Sequence, residues 1–218
     1  MDERAGIIAV FAKPPRPGEV KTRLAATIGG NAAAALARAF FDDVWEGVGR
    51  LPGARRVLAS TSPNLEDFGL GDAEVWLQGE GDLGARMEQI ARRALEVAPW
   101  VLAVGADSPG LPLAALESAK AALLRSDAVL GPASDGGYYL LGLRRLEPGL
   151  LIELPWSTPA TLSATAARLI ERGLSVTTIE EWFDVDDAQG LARLRAELAR
   201  GTLCAPRTAA ALASLKLG

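Results

Sequence analysis

Short apolar runs alternate along the chain with longer stretches of helical periodicity. Residues 6–11 (GIIAVF) read as a buried strand, and 31–48 as a helix with Asn31 as its N-cap. Residues 56–59 and 74–77 read as short strands, 83–98 as a helix, and 100–105 (WVLAVG) as a second buried strand. A helix over 113–125, a strand over 128–131 and another over 138–143 follow. Residues 160–172 read as a helix that Gly173 ends, 175–179 as a β-branched strand, and 188–200 as a charged helix. The Ala-rich tail, 208–216, reads as a loosely docked helix. Strands that alternate with helices predict an α/β fold with a mostly parallel central sheet and helices on both faces. No shift of composition, repeat or low-complexity tract divides the chain, so one domain is expected over 1–218.

Composition narrows the chemistry. The 218 residues include no histidine and a single cysteine, Cys204. Catalytic Ser-His-Asp and Cys-His arrangements, histidine-built zinc sites and intramolecular disulfides are therefore excluded. What remains is 27 carboxylates, which suit hard cations such as Mg²⁺ or Mn²⁺, and 23 Lys or Arg, which suit phosphates. A net charge of −4 and only 6% aromatic residues argue against nucleic acid as a partner. No apolar run approaches the roughly 18 residues that an integral membrane helix needs. The start, Met1-Asp2-Glu3-Arg4, lacks the pattern of a signal peptide, so a cytoplasmic location is expected. Nothing in the pattern fixes an oligomeric state.

In open parallel sheets, ligands sit beyond the carboxyl ends of the strands, so the segments that follow each strand carry the candidate chemistry. After the first strand, Lys13, Arg16, Lys21 and Arg23 lie in a loop stiffened by three prolines, a suitable phosphate cradle or else a solvated basic loop. It lacks the spacing of a Walker A or dinucleotide loop. After 74–77 comes Gln78-Gly79-Glu80-Gly81-Asp82. There Gln78 has the donor and acceptor to read a nucleobase edge, and Asp82 serves the nucleotide or caps the next helix. After 100–105, Asp107 is placed either to hold a metal on a ligand's phosphates or to organise the Ser-Pro-Gly turn. The segment Asp135-Gly136-Gly137-Tyr138 is a hairpin turn or an opening for a substrate, with Asp135 facing hydroxyls. Ser157 and Thr158 stand at a helix start, as caps or as contacts for the acceptor. Asp184, Asp186 and Asp187 follow the last strand. Residues two apart in extended chain face one side, so one acid is expected to bind metal and another to cap the helix 188–200.

Six motifs occur in order: FAKPPRPGEVKTRL, QGEGDLGARM, GADSPGL, GPASDGGYYLLGL, WSTPAT and FDVDDAQGL. Together they resemble the bacterial GT-A-type glycosyltransferase-like family of the nucleotide-diphospho-sugar transferase superfamily, from about Ile7 to Leu194. The resemblance implies a Rossmann-like GT-A fold, a nucleotide or nucleotide-sugar donor, and Mg²⁺ or Mn²⁺. It matches Asp107 to the metal-binding acid after the central strand and Asp186 to the second metal ligand. Lys13, Arg16, Lys21 and Arg23 stand where the superfamily binds phosphate. Many GT-A glycosyltransferases carry Asp-x-Asp where this chain has Gly105-Ala106-Asp107, and the single acid looks more like nucleotidyltransferases.

The reading that follows is a metal-dependent transferase that takes a group from a nucleotide-activated donor, a nucleotide sugar in the first instance, to a small-molecule acceptor. Asp107 and Asp186 hold the metal, Lys21 stabilises charge on the leaving phosphates, and Asp135 activates the acceptor. Gly136, Gly137, Tyr138, Ser157 and Thr158 form the acceptor side. The alternatives are a nucleotidyltransferase that releases pyrophosphate and a nucleotide-binding protein without turnover.

Overall fold

The computed structural model describes residues 5–217; the reading of Met1 to Arg4 lies outside the described residues. Among the described residues one seven-stranded sheet has the order β3-β2-β1-β4-β6-β5-β7. Its strands are β1 (Gly6–Ala12), β2 (Ala54–Ser60), β3 (Val75–Leu77), β4 (Val101–Gly105), β5 (Ala128–Pro132), β6 (Tyr138–Leu143) and β7 (Val176–Thr178). Every adjacent pair is parallel except those that β6 makes with β4 and β5. The mostly parallel sheet expected from the alternating pattern is therefore present.

The helices are α1 (Thr22–Ile28), α2 (Gly30–Val48), α3 (Leu83–Val97), α4 (Leu113–Ala122), α5 (Thr161–Glu171), α6 (Ala188–Arg200) and α7 (Pro206–Ser214). Successive strand residues point to opposite faces of a sheet. In β1 and β4 this places Ile7, Ala9, Val101 and Ala103 in a core shared with α3 and α5. Ile8, Val10, Leu102 and Val104 face the other way, into a core with α2 and α4. Both faces are thus covered, which is why the central strands read as continuous apolar runs.

Three sequence expectations need correction. Asn31 does not cap its helix: α1 fills the segment before it, Gly29 takes the N-cap of α2 with φ 87°, and Asn31 falls inside the first turn. Asn31 offered a capping side chain, but only glycine is at ease at that positive φ. Residues 65–68, in a stretch where the apolar pattern predicts no element, form a short 3-10 turn capped by Asn64. The tail is also firmly held. Helix α7 packs along α2, with Thr208 and Leu212 buried. The carboxylate of Asp43, on α2, accepts the amides of Arg207 (3.0 Å) and Thr208 (2.8 Å) at the otherwise open start of α7.

Asp43→Ala should strip those two amides of their partner and lower stability by about 2 kcal/mol, within the range for an unsatisfied buried donor. Chemical denaturation and amide exchange of α7 measure this. Unchanged stability, with α7 exchanging no faster, would show that the apolar contacts alone hold the tail.

Candidate functional site

Strand β1 lies between β2 and β4, so the chain turns one way to form β2 and crosses to the other side for β4. Such a switch of direction leaves a crevice outside the carboxyl ends of the two diverging strands. The loops after β1 and β4 leave side by side there: Phe11 and Gly105 are in register, and the Ala106 amide donates to the Phe11 carbonyl at 3.2 Å. One loop leads to Lys21 and the other to Asp107.

The third segment of the site comes from far along the chain. Trp182 bonds through its amide to the Pro132 carbonyl at 3.0 Å, extending the sheet beyond β5. The Val185 amide then donates to the carbonyl of Asp107 at 3.0 Å. This backbone bond sets the register of the acidic segment. Phe183 and Val185 point into a separate core with Leu24, Leu36, Phe40, Leu191, Leu194 and Leu212. Alternation then turns Asp184 and Asp186 to the opposite side, toward Asp107. One carboxylate oxygen from each of Asp107, Asp184 and Asp186 lies within 4.8 Å of the others. Asp187 faces away and caps α6, accepting the Gly190 amide at 2.9 Å.

Lys21 lies at the centre of this cluster. Its backbone is left-handed (φ 49°, ψ 44°) and its side chain is only 9% exposed. Its ammonium donates to Asp107 Oδ2 at 3.2 Å and to Asp186 Oδ1. Arg23, largely exposed, donates to Asp186 Oδ2 at 2.8 Å. Burial alone would pull the lysine below its ordinary pKa, but Asp107 and Asp186 together hold it above. Burial likewise pushes the Asp186 carboxyl up, and Lys21 and Arg23 outweigh it, so that carboxyl titrates below the ordinary range. At Asp184 the balance falls the other way: burial, then the negative charges of Asp107, Asp186 and Asp135, outweigh the nearby charge of Lys21 and raise it to about 6.

The remaining candidates divide. Lys13 is exposed at the start of its loop. Arg16 turns outward, where its Nη2 donates to both carboxylate oxygens of Asp67 (3.0 and 2.9 Å), so the four cations do not form one cradle here. Gln78 is buried and its amide donates to the Ala59 carbonyl at 2.8 Å and the Ala12 carbonyl at 3.4 Å. It ties the ends of β1, β2 and β3 together in place of facing a base. Asp82 caps α3 by accepting the Ala85 amide at 2.9 Å.

Residues 133–137 join β5 to β6 as an irregular hairpin, and exposed Asp135 accepts the Gly137 amide at 2.8 Å. Gly136 has φ 88° and abuts Pro159. Tyr139 and Tyr138 lie on opposite faces. Tyr139 is buried and donates to the Glu180 carbonyl at 3.0 Å. Tyr138 stands edge-on to Trp156, with ring centroids 6.1 Å apart. Ser157 is exposed with φ 60°, while the Thr158 hydroxyl donates to the Pro155 carbonyl at 2.9 Å.

One residue that shapes this rim escaped the sequence reading. Glu88, on the buried stripe of α3, accepts the amides of Gly149 (2.8 Å) and Leu151 (3.3 Å). Next to it Gly84 leaves room for the Leu151 carbonyl, which any side chain at 84 would strike. The spacing 84, 87, 88, 91, 94 places Glu88 among the apolar positions of the helix, the one available signal of a buried carboxylate.

The family model described as "Uncharacterized protein conserved in bacteria (DUF2064)" matches residues 48–158, about half of the chain. No functionally curated protein matches the sequence. Among solved structures, a protein of Desulfovibrio desulfuricans G20 assigned as a nucleotide-diphospho-sugar transferase is 31% identical, with a TM-score of 0.81. The match covers 90% of this chain and 88% of that one. CMP:2-keto-3-deoxy-manno-octonic acid synthetase, solved with CTP, is 15% identical over 90% of this chain and 99% of its own, with a TM-score of 0.56. 4-Diphosphocytidyl-2C-methyl-D-erythritol synthase of Anaerococcus prevotii is 10% identical over 89% and 99%, with a TM-score of 0.57. At those identities the last two share the fold. The architecture is the Rossmann-like fold of the nucleotide-diphospho-sugar transferases.

Proposed function

The chain belongs to the DUF2064 family of bacterial proteins, and from its site we propose a metal-dependent transferase that draws on a nucleotide-activated donor, a nucleotide sugar in the first instance. The observation that carries this reading is the meeting of Asp107, Asp184 and Asp186 with Lys21 at the crevice between β1 and β4. Three carboxylates offer hard oxygen donors in the number and spacing that suit Mg²⁺ or Mn²⁺, which would share its shell with water and phosphate oxygens. Asp107 and Asp186 would hold the ion, with Asp184 as third ligand. When bound, it would supply charge neutralisation for the departing phosphates.

The chain's own groups do the rest. Lys21 and Arg23 stand beside the carboxylates and would meet phosphate oxygens from the side of the β1 loop. With no histidine available, Asp135 is the candidate to take the acceptor's proton: it is exposed at the same edge of the sheet and adds to the negative field at Asp184. Tyr138, Ser157 and Thr158, with Gly136 and Gly137, would line the acceptor side.

A second reading, nucleotidyl transfer, draws on the acids' origin. Asp107 comes from β4 and its partners come from the segment after β7, in place of an adjacent pair on one strand. The products decide between the two. A panel of nucleotides and nucleotide sugars, tested for thermal stabilisation with and without Mn²⁺, finds the donor, since a ligand at a hundred times its Kd adds about 2.7 kcal/mol. Release of a nucleoside diphosphate supports glycosyl transfer, and release of pyrophosphate supports nucleotidyl transfer. A panel in which no nucleotide stabilises the protein would sink both readings.

Gly105 provides an independent check. A methyl group there would run into Asp107 Oδ1. Gly105→Ala should displace that carboxylate and weaken Mn²⁺-dependent nucleotide binding by roughly tenfold or more, the scale seen when the support of a metal ligand is disturbed. Isothermal titration measures it; an unaltered affinity would separate Asp107 from the metal.

A further inference from the structure

The ammonium of Lys21 touches the same pair of carboxylates that the preceding reading gives to a divalent cation. Its side chain is nearly buried, and it reaches the cluster from a residue whose backbone adopts the left-handed region, which non-glycine residues seldom occupy. That conformation is held at both ends. The Lys21 carbonyl accepts the Ala25 amide at 2.7 Å and opens α1, while the side chain is bound by Asp107 and Asp186. Three carboxylates with oxygens within 4.8 Å of one another would repel if no cation stood among them. A buried ammonium bridging two of them is what allows the cluster to stay closed.

We propose that Lys21 is an internal counter-cation that keeps the acidic centre assembled in the ligand-free chain, and that it gives up this place to the divalent cation when a diphosphate arrives to receive its ammonium. The proposal rests on the metal-nucleotide reading above and adds an order to it. Lys21 and the divalent ion are two positive charges that compete for Asp107 Oδ2 and Asp186 Oδ1, so the ion by itself binds against the lysine. A diphosphate changes the balance. It offers the ammonium new oxygen partners next to the site, and it offers the ion further ligands. Metal and diphosphate therefore bind with positive coupling, and Lys21 is the residue through which the coupling runs. Lys21 acts here as a positioning residue, distinct from any contact it makes with a reacting atom.

The test measures Mn²⁺ binding to the full chain by electron paramagnetic resonance, first with Mn²⁺ alone and then with inorganic pyrophosphate as the diphosphate probe. In Lys21→Met the neutral side chain no longer competes. Mn²⁺ alone should bind roughly tenfold tighter than to the unaltered protein, within the usual span of coupling between sites, and pyrophosphate should enhance Mn²⁺ binding much less. Lys21→Gln gives a second neutral side chain should the methionine variant fold poorly. Lys21→Arg retains the charge and should keep the weak binding of Mn²⁺ alone. Neutral variants that bind Mn²⁺ alone no tighter than the unaltered protein would overturn the proposal, while leaving the metal site intact. An unaltered protein that binds no Mn²⁺ even with pyrophosphate and nucleotides would overturn the metal-nucleotide reading, and the proposal with it.

Discussion

Asp107→Asn should weaken Mn²⁺-dependent nucleotide binding by at least about a hundredfold while the protein stays folded. The carboxamide keeps the shape and one acceptor oxygen but removes a negative charge from the first turn after β4. Changes that touch only the partners of metal ligands cost 10–100-fold in affinity, so removal of a ligand's charge should reach at least the upper end. The fold should tolerate the change for two reasons. Asp107 is partly exposed, and its removal relieves the repulsion that raises Asp184. The carbonyl that accepts the Val185 amide belongs to the backbone and survives, and Lys21 keeps Asp186 as its charged partner. Calorimetric titration with and without Mn²⁺, alongside a melting curve, separates the two effects. Native affinity in a folded Asp107→Asn protein would remove the acidic cluster from the mechanism.

The largest loss of stability should come from Glu88→Ala. The Glu88 side chain is 3% exposed and satisfies the amides of Gly149 and Leu151, while its partner Arg92 is mostly in water. Removing the carboxylate orphans two amides under a packed loop and leaves a space beside α3. At about 1–3 kcal/mol per unsatisfied buried donor, a total near 4 kcal/mol is expected. In a protein of this size that lowers Tm by roughly 8–16 °C. The ion pair with Arg92, whose guanidinium stands mostly in water, contributes little of this, so Arg92→Ala should shift Tm by only a degree or two. Equal shifts for the two variants would mean that the ion pair, and not the loop amides, is what Glu88 supplies.

The contrast between these two acids shows what a linear sequence can disclose. Asp107 was legible because it follows an apolar run of strand length, and a parallel sheet gathers such positions at one edge. Asp184 and Asp186 were legible because they alternate with Phe183 and Val185, and a two-residue period sorts facing from buried side chains. Gln78 has the same kind of position, yet it fills its hydrogen bonds with the Ala12 and Ala59 carbonyls. Its neighbours come from strands 19 and 66 residues away in sequence, and no local pattern reports them. The same holds for Asp43, which caps a helix 164 residues further on. Arg16 reads as a member of a basic cluster, but only Lys21 and Arg23 meet, on the Asp186 carboxylate. Arg16 pairs instead with Asp67, 51 residues further on, which no local pattern reports. Helix α1 was missed because seven residues are too few to establish a helical period.

The ion pair between Lys21 and Asp186 joins residues 165 positions apart. Contacts that close so long a loop carry a large entropic cost until most of the intervening chain is ordered, which places them late in folding. The two halves of the crevice therefore have no meaning in a nascent or clipped chain. A fragment ending before β7 would keep Lys21 and Asp107 but lack the acids that complete the cluster. Nucleotide affinity in this protein should consequently rise in step with completion of the whole sheet, and the ligand should act as a proofreader of the finished molecule, holding only chains whose last segment has docked.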